Sequence, residues 1–376
     1  MVQRRRSFRA RIASCGKWLV VPLLIFNVCE VVILILTREP PSESNTCYKE
    51  AVSMEISPDN ITATGDDGPI PLEDILYSED RPTPGKTIFF LETNCPCLDP
   101  LFYLLTLTSR QACAIESAAL HHPNFDIFVL LACSTSRHRY DPIADAILSY
   151  QNVRLRHVNL WRFAADTPIQ DWITKDALFR SRYLTTNISD LLRLLSLHRF
   201  GGIYMDMDVI VLRSFEDETP NFLGAESDKY IANGIIGLEP TGFGHKLAEL
   251  SLRMFQQNYN GDIWAYNGPR NIFLIMTQIC GTDDVTVMQK NRHLCQGVKV
   301  FNYKAFFEIQ AFHWTHFFEP KYTNKTMRRL KNSYIAHLWN SFSFRRSLRV
   351  DSKAAYIQLA ALHCPRVLAA TKVYFD

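Results

Sequence analysis

The chain has 376 residues, of which 47% are hydrophobic and 21% charged, as is usual for a packed globular protein. Its formal net charge of +3 arises at one end, because six of the 41 Lys and Arg residues and no acidic residues lie in residues 1–17. The remainder carries 35 basic and 38 acidic residues. It lacks the basic domain that nucleic-acid-binding proteins usually show, so we exclude that class.

A long apolar run follows the basic end. Trp18–Leu36 contains 19 residues, nearly all apolar, and would span about 28 Å as a helix, close to the thickness of a membrane core. Basic residues precede the run, so the positive-inside rule predicts a cytosolic tail at 1–17, a signal anchor at 18–36 and a lumenal remainder. A cleaved signal peptide is the alternative, but the run is longer than a signal-peptide core and no small-x-small cleavage site follows it.

Cysteines and glycosylation signals agree with a lumenal domain. Eight of the ten cysteines lie beyond the anchor, and an oxidising compartment favours disulfides there. Cys280 and Cys295 flank a polar stretch between two apolar segments, and we predict that they form a disulfide. Asn-x-Ser/Thr sequons predict glycans at Asn60, Asn187 and Asn324. Together these features indicate the secretory pathway.

The chain beyond the anchor divides into a spacer and one large domain. Seven of the 18 prolines lie in residues 37–85, together with many Ser, Thr, Asp and Glu residues. Such a composition buries too little apolar surface to offset its ordering entropy, so we predict a flexible stem there. Residues 86–376 form the predicted lumenal catalytic domain.

Short apolar runs alternate with helical patterns in this domain. We predict strands at 87–91, 125–131 and 153–160, and helices at 109–120 and 142–150. This alternation predicts an α/β fold with a mostly parallel sheet, whose ligands bind at the carboxyl ends of the strands. The first β–α turn has no G-x-G-x-x-G or Walker pattern, which disfavours dinucleotide oxidoreductases and P-loop phosphotransferases.

Residues 189–208 hold the most informative pattern. Ser189 is a favourable helix N-cap, and the leucines after it predict a largely buried helix that a Gly-Gly pair ends. Asp190 and Arg193 interrupt the apolar pattern three residues apart, so they project from neighbouring positions near the helix start. They are either part of a substrate site or a simple ion pair, and we favour the site.

The segment after this helix ends in a pair of carboxylates. A short strand through Tyr204 leads to Asp206 and Asp208, and their spacing of two lets both side chains lie on one side of the strand end. Carboxylate oxygens in this arrangement can hold a hard divalent cation. A lone Asp-x-Asp arises by chance and is commonly a solvated turn, but this one follows a charged helix start and a glycine pair. We therefore predict a metal site.

This pattern resembles the sugar-binding region of Asp-x-Asp glycosyltransferases with the GT-A fold. More closely, residues from about 86 to 345 resemble the α-1,4-glycosyltransferase family. The segments that carry the likeness are Phe90–Thr93, Cys113–Ala119, Asp190–Asp208, Asn233–Pro240, Gly268–Arg270 and His337–Asn340. The resemblance implies a GT-A-like nucleotide-sugar-binding domain and a type II Golgi enzyme. It also implies a UDP-sugar donor, Mn²⁺ and retention at the anomeric carbon.

The resemblance also implies roles for individual residues. Asp206 would contact the ribose and sugar side of the donor, and Asp208 would bind the metal beside it. His337 would approach the metal or the diphosphate from late in the chain. With Asp206 and Asp208 as the catalytic pair, the cation would stabilise the departing UDP.

The transferred sugar would lie against a second set of residues. The resemblance implies that Asp190 and Arg193 bind sugar hydroxyls and that Asn233 and Gly234 line the donor-sugar pocket. Tyr204 belongs to the same substrate-binding set. For Arg193 this role competes with the ion pair to Asp190.

The predicted activity is transfer of an α-linked galactose or N-acetylhexosamine from UDP to a terminal sugar of a glycosphingolipid at the Golgi membrane. The alternatives are the same chemistry on glycoprotein O-glycans, a metal-dependent hydrolase, and a catalytically silent Golgi membrane protein that keeps the fold for binding. A hydrolase should show further clustered metal ligands, and none is evident in the sequence. The intact carboxylates argue against a silent protein. No catalytic base is identified, and a homodimer stays open.

Overall fold

The computed structural model describes residues 44–53, 68–95 and 104–376. The predicted tail and signal anchor, 1–36, lie outside these ranges, as does the sequon at Asn60. Within the described ranges, no helix is long and apolar enough to cross a membrane.

Helices and strands alternate along the chain as the sequence predicts. The helices are α1 (Ser44–Ala51), α2 (Ser109–His121), α3 (Pro142–Leu148), α4 (Leu160–Ala164), α5 (Gln170–Ile173), α6 (Leu184–Phe200), α7 (Gly242–Gln257), α8 (Pro269–Cys280), α9 (Val285–Lys290), α10 (Thr323–Leu330), α11 (Asn340–Ser343), α12 (Ala355–His363) and α13 (Pro365–Ala370). The strands are β1 (Ile70–Pro71), β2 (Thr87–Glu92), β3 (Asp126–Leu131), β4 (Ser136–Arg137), β5 (Val153–His157), β6 (Gly202–Met205), β7 (Val209–Val211), β8 (Phe222–Ala225), β9 (Ile231–Leu238), β10 (Lys299–Phe301), β11 (Ile335–His337), β12 (Leu348–Arg349) and β13 (Tyr374–Phe375).

Seven of these strands form the central sheet, in the order β10-β8-β9-β6-β2-β3-β5. The pairs β10–β8, β6–β2, β2–β3 and β3–β5 are parallel, whereas β9 is antiparallel to both of its neighbours. The predicted α/β fold with a mostly parallel sheet is therefore confirmed. Because β2, β3, β5, β6 and β8 run in one direction, their carboxyl ends meet at one edge, where ligands of such sheets bind.

Both faces of the central sheet are buried. In β2, Ile88 and Phe90 pack on one face in the same cluster as α2, while Phe89 and Leu91 pack on the other in the same cluster as α6. Successive side chains of a strand alternate between faces. A strand that is covered on both sides is therefore a continuous apolar run, as in this part of the sequence.

The helix that leads to the carboxylate pair begins earlier than predicted. α6 starts at Leu184, so Ser189 lies inside the helix and its predicted capping role is wrong. Residues 185–187 are weak helix formers, but Leu184 and Ile188 are buried in the core, and this packing outweighs local propensity. The Ser189 hydroxyl instead accepts a hydrogen bond of 2.9 Å from Arg193.

The described parts of the predicted stem are folded against the domain. Tyr48 of α1 is 3% exposed, and its hydroxyl donates a hydrogen bond of 2.5 Å to the Thr93 carbonyl. Ile75 is fully buried, and β1 pairs with β4. The folded unit therefore begins upstream of the predicted boundary at residue 86, because a few apolar anchors among the prolines suffice to hold these segments.

The structure forms the predicted disulfide between Cys280 and Cys295, which joins the end of α8 to the loop before β10. It also joins Cys95 to Cys133 and Cys113 to Cys364. The last of these links α2 to the residue between α12 and α13, so it fastens the end of the chain to the sheet-covering helices.

Removal of the Cys280–Cys295 disulfide should lower the free energy of unfolding by about 3 kcal/mol, as the chain-entropy model gives for a loop of this length. The two cysteines are 15 residues apart, and both are buried, so alanine is the suitable replacement for each. Denaturant unfolding of the oxidised wild type and the double variant measures the difference. A loss of less than about 1 kcal/mol would contradict the prediction.

Candidate active site

The two carboxylates lie in a tight turn at the carboxyl edge of the sheet. β6 ends at Met205, and the residues from Asp206 to Asp208 form a turn before β7, so they lie beyond the strand rather than on it as predicted. The Asp206 N–H donates to the Gly234 carbonyl at 2.8 Å, and the Leu338 N–H donates to the Asp208 carbonyl at 2.8 Å. Backbone bonds to β9 and to the segment after β11 therefore fix both positions.

His337 joins the pair through a strand pairing. β11 is antiparallel to β7 with His337 opposite Val209, which brings a late residue beside the turn. The His337 Nε2 lies 3.4 Å from Asp208 Oδ1 and 3.9 Å from Asp206 Oδ2. One ligand atom from each of the three residues lies within 4.8 Å of the others. Two carboxylates and an imidazole are a donor set that suits a divalent cation such as Mn²⁺.

The environment shifts the pKa values of Asp206 and His337 in opposite directions. Burial alone would raise the pKa of Asp206, but Arg193, His337 and Tyr204 together hold that pKa below its usual value. Burial alone would lower the pKa of His337, but the carboxylates of Asp208 and Asp206 raise it overall. An ionised Asp206 is the form that can bind a cation.

Arg193 lies at the centre of the hydrogen bonds that hold the site, with its side chain 7% exposed. Its Nη1 donates to the Asn233 carbonyl at 2.8 Å and to Asp206 Oδ1 at 3.3 Å. Its Nη2 donates to the Ser189 hydroxyl at 2.9 Å and lies 3.3 Å from Asp190 Oδ1. Its Nε donates to the Ser189 carbonyl at 3.2 Å. Arg193 thus ties α6 to β9 and to the carboxylate turn.

Tyr204 completes this arrangement from β6. Its side chain is 2% exposed, its hydroxyl donates to Asp206 Oδ1 at 2.5 Å, and the Arg193 guanidinium lies over its ring at 4.4 Å. Arg193 thus makes four side-chain hydrogen bonds within the protein, in addition to its ion pair with Asp190. These contacts give Arg193 and Tyr204 a positioning role toward Asp206, and their predicted contacts with the substrate stay predictions.

Asp190, which is buried, and Asn233, which is half-buried, form a second polar pair. Asn233 Nδ2 donates to Asp190 Oδ1 at 2.8 Å, while Asp190 Oδ2 has no hydrogen-bond partner in the described chain. Burial raises the pKa of Asp190 even though Arg193 and Asn233 oppose the shift. Gly268 packs so closely here that a Cβ on it would lie 2.4 Å from Asp190. The loop before α8 therefore covers this pair.

Two cavities meet at the carboxylate pair. The larger, of about 480 Å³, is lined by Leu91, Thr108, Arg110, Gln111, Ser189, Tyr204, Asp206, Met207, Asp208, Leu338, Asn340, Ser343, Phe344 and Asp376. The smaller, of about 230 Å³, is lined by Thr186, Asp190, Arg193, Asp206, Asp208, Glu226, Ala232, Asn233, Gly234, Trp264, Ala265, Pro269, Phe307, His337, Trp339 and Ser341. All the predicted site residues line one or both of these cavities.

Sequence reasoning missed Glu226, which lines the smaller cavity. Burial raises the pKa of its carboxyl, and His337 opposes that shift. A signal was present, because Glu226 directly follows β8 just as Asp206 directly follows β6, and the two strands end at the same edge of the sheet. The position of Glu226 suits an interaction with a sugar hydroxyl.

The predicted glycan at Asn187 is incompatible with the folded chain. Asn187 is 1% exposed, and its Nδ2 donates to the Ser181 hydroxyl at 2.7 Å. Its Oδ1 accepts from Asn267 Nδ2 at 2.9 Å. Both ends of the amide are therefore committed within the core. Asn324 is exposed on α10, and a glycan there stays a prediction.

Comparison with known families identifies the class of protein. Residues 108–229 match the glycosyltransferase sugar-binding region containing the DXD motif, and residues 240–371 match the alpha 1,4-glycosyltransferase conserved region. The first span holds Asp206 and Asp208, and the second holds His337. The cluster thus belongs to a glycosyltransferase of the Asp-x-Asp type.

Relatives specify the family further. The chain is 32% identical to human lactosylceramide 4-alpha-galactosyltransferase over 78% of this chain and 79% of the relative. It is 28% identical to human alpha-1,4-N-acetylglucosaminyltransferase over 68% of this chain and 74% of the relative. A solved galactosyltransferase, LgtC in complex with donor and acceptor sugar analogues, is 16% identical over 67% of this chain and 86% of that chain, with a TM-score of 0.35. The chain belongs to the α-1,4-glycosyltransferase family.

Proposed function

We propose that this protein is a retaining α-1,4-glycosyltransferase with a GT-A-like domain. It transfers galactose or an N-acetylhexosamine from UDP to a terminal sugar of a glycosphingolipid, with Mn²⁺ as the cation. The observation that carries the proposal is the convergence of Asp206, Asp208 and His337 between two cavities. A cation held there would lie beside both halves of a nucleotide-sugar donor.

The two cavities differ in size and chemistry. The larger one adjoins the end of β2 and the start of α2, and it suits the nucleotide and its diphosphate. The smaller one combines the polar groups of buried Asp190 and half-buried Asn233 and Glu226 with the aromatic side chains of Trp264 and Phe307. Polar groups among aromatic rings suit a sugar, whose faces are apolar and whose edges carry hydroxyls.

The side chains around the cation site hold it in an arrangement suited to the negative charge that develops on the diphosphate. When bound, the cation would act as a Lewis acid that stabilises the diphosphate leaving group. Arg193 and Tyr204 hold Asp206 ionised and fixed in place. The Asn340 N–H donates to Asp208 Oδ2 at 2.7 Å and fixes the second carboxylate. Such preorganisation avoids reorganisation during bond cleavage.

The acceptor class follows the relatives. The name of the first relative points to a glycolipid acceptor, and that of the second leaves other glycans open. An activity on glycoprotein O-glycans is therefore the second candidate, and a silent binding protein is the third. A homodimer and the choice of donor sugar have no support in the described contacts.

A donor and acceptor panel tests the proposed function. The purified lumenal domain is incubated with UDP-galactose, UDP-N-acetylgalactosamine or UDP-N-acetylglucosamine, with Mn²⁺ or with EDTA. Acceptors are lactosylceramide, a short-chain analogue and an O-glycan. We expect UDP release and product only with a glycolipid-type acceptor and a divalent cation. Release that is equally fast in EDTA would contradict the cation role, and absence of transfer from every donor would support the silent protein.

Gly234 offers a steric test of the cation site. A Cβ on this residue would lie 2.6 Å from Asp206 Oδ2 and 3.7 Å from His337 Nε2. Gly234→Ala should therefore displace Asp206 and lower transfer about a hundredfold, as a misplacement of about 1 Å can. Gly281→Asn is the control, since a side chain there meets open space and asparagine tolerates the positive φ of this helix C-cap. Equal kcat/KM for wild type and Gly234→Ala would contradict the assignment.

The location of the enzyme is part of the proposal. The basic tail and the apolar run of 19 residues support a type II protein of the Golgi membrane with residues 37–376 in the lumen. Protease added to intact microsomes should remove only a short N-terminal tail. Digestion of the large domain under these conditions would contradict this topology.

A further inference from the structure

Arg110 lies at the start of α2, on the wall of the larger cavity. It is the second residue of this 13-residue helix and is 7% exposed. Thr108 and Gln111, which form the capping box of α2, line the same cavity. Among the described residues that line this cavity, Arg110 is the one with a cationic side chain, whereas Asp206, Asp208 and Asp376 are acidic.

The guanidinium of Arg110 is held on one side only. Its Nη1 donates to the Ser343 carbonyl at 2.9 Å. Its Cζ lies 4.8 Å from the centre of the Phe318 ring and 5.5 Å from that of Tyr356. Nε and Nη2 have no hydrogen-bond partner within the described chain. Burial lowers the pKa of Arg110, and the nearby hydroxyl of Tyr356 and carboxyl groups of Asp376 and Asp208 only oppose that fall.

Such an arrangement is costly without a further partner. A buried charged donor left without an acceptor destabilises a protein by about 1–3 kcal/mol or more. Natural structures retain these groups where a ligand or an ordered water satisfies them. The guanidinium fork matches two phosphate oxygens, and the start of a helix adds positive potential toward an anion.

We propose that Arg110 binds the diphosphate of the nucleotide donor through Nε and Nη2. The inference rests on the proposed function and deepens it. It identifies Arg110 as the positively charged side chain that would bind the negatively charged diphosphate beside the cation site. The diphosphate would otherwise enter a cavity whose ionised side chains are acidic. Both nitrogens are shielded from water, so binding requires movement of the exposed rim, to which Phe344 and Asp376 belong.

Ligands that differ only in their phosphates test this assignment. Binding of UDP and of uridine to the full-length protein in detergent is measured by calorimetry, with Mn²⁺ and with EDTA. Arg110→Met should weaken UDP binding about ten- to a hundredfold, the value of a lost charge-assisted hydrogen bond. Uridine binding should be unchanged, so the ratio of the two affinities falls. Because Arg110 acts without the cation, the ratio should fall in both buffers.

Two further variants keep the test decisive. Tyr356→Phe is the matched control, because it retains the ring beside the guanidinium and removes only a hydroxyl that has no partner. It should leave the UDP-to-uridine ratio unchanged. Arg110→Gln keeps a donor toward Ser343 and gives the same measurement if the methionine variant does not fold. An equal loss of UDP and uridine affinity, or no loss of either, would overturn the role of Arg110. A wild type that binds no UDP would overturn the proposed function itself.

Discussion

Asp208→Asn should lower the rate of sugar transfer on the order of a thousandfold or more while the fold stays intact. The substitution removes one of two carboxylates from the proposed cation site, and a Lewis acid at a diphosphate leaving group contributes several kcal/mol to catalysis. Asp208 is partly exposed. The Asn340 N–H, which donates a hydrogen bond to Asp208 Oδ2, can still donate to the amide oxygen of an asparagine. The stability change should therefore stay within about 1 kcal/mol.

The discriminating measurement is donor affinity with and without Mn²⁺. Wild type should depend strongly on the cation, and Asp208→Asn should show almost no dependence, even in excess Mn²⁺. Asp74→Asn is the control, because Asp74 is likewise a carboxylate beside a histidine, His157, but lies at the far edge of the sheet. A variant at position 208 that transfers sugar near the wild-type rate would mean that the carboxylate pair is structural.

Arg193→Met should both destabilise the protein and abolish transfer. Removal of the guanidinium leaves Asp190 and Asp206 without their shared partner, and breaking a buried ion pair by deleting one member costs about 3–5 kcal/mol. The pKa of Asp190, already raised by burial, should rise further. A carboxyl group whose pKa is raised in the folded state destabilises the fold when it is ionised, but not when it is protonated. The loss in stability should thus be smallest near pH 4 and grow as the pH rises.

The control for this prediction lies on the same helix. Arg199 is half-buried and donates to the carbonyls of Phe163, Arg162 and Ala165 rather than to a carboxylate. Arg199→Met should cost less stability, and its loss should vary less with pH between 4 and 7 than the loss caused by Arg193→Met. Chemical denaturation of both variants across that range makes the comparison. Parallel pH profiles for the two variants would refute the account of Arg193.

Local patterns were enough to predict the strands β2, β3, β5 and β6 of the central sheet and part of the site. The apolar runs at β2 and β3 are strands covered on both faces, whereas β5 at the sheet edge alternates buried with half-buried residues. The spacing of Asp206 and Asp208 survives a shift from strand to turn, since both side chains still converge. The proximity of Asp190 and Arg193 follows from one helical turn.

The rest of the site depends on contacts between distant segments. His337 reaches the carboxylates through the pairing of β11 with β7, and Glu226 through the direction of β8 in the sheet. The first relation leaves no local pattern beside the carboxylates, and the second leaves only the position of Glu226 directly after a strand. The full set of acceptors around Arg193 was also hidden, because Asn233 and Asp206 come from other elements. Tyr48 and Ile75 are isolated apolar residues among prolines, so composition alone assigned their segments to the stem.

The burial of Asn187 bears on how this protein can be produced. The sequon requires Asn187 and Ser189, and the fold uses both, the first in bonds to Ser181 and Asn267 and the second as an acceptor for Arg193. In a host with an oligosaccharyl transferase, attachment of a glycan to Asn187 would compete with the folding of α6 in each nascent chain. Substituting either residue removes the signal at the expense of a buried hydrogen bond. We therefore expect a higher yield of the wild-type protein in a host without N-glycosylation than of an Asn187 variant in a host that glycosylates.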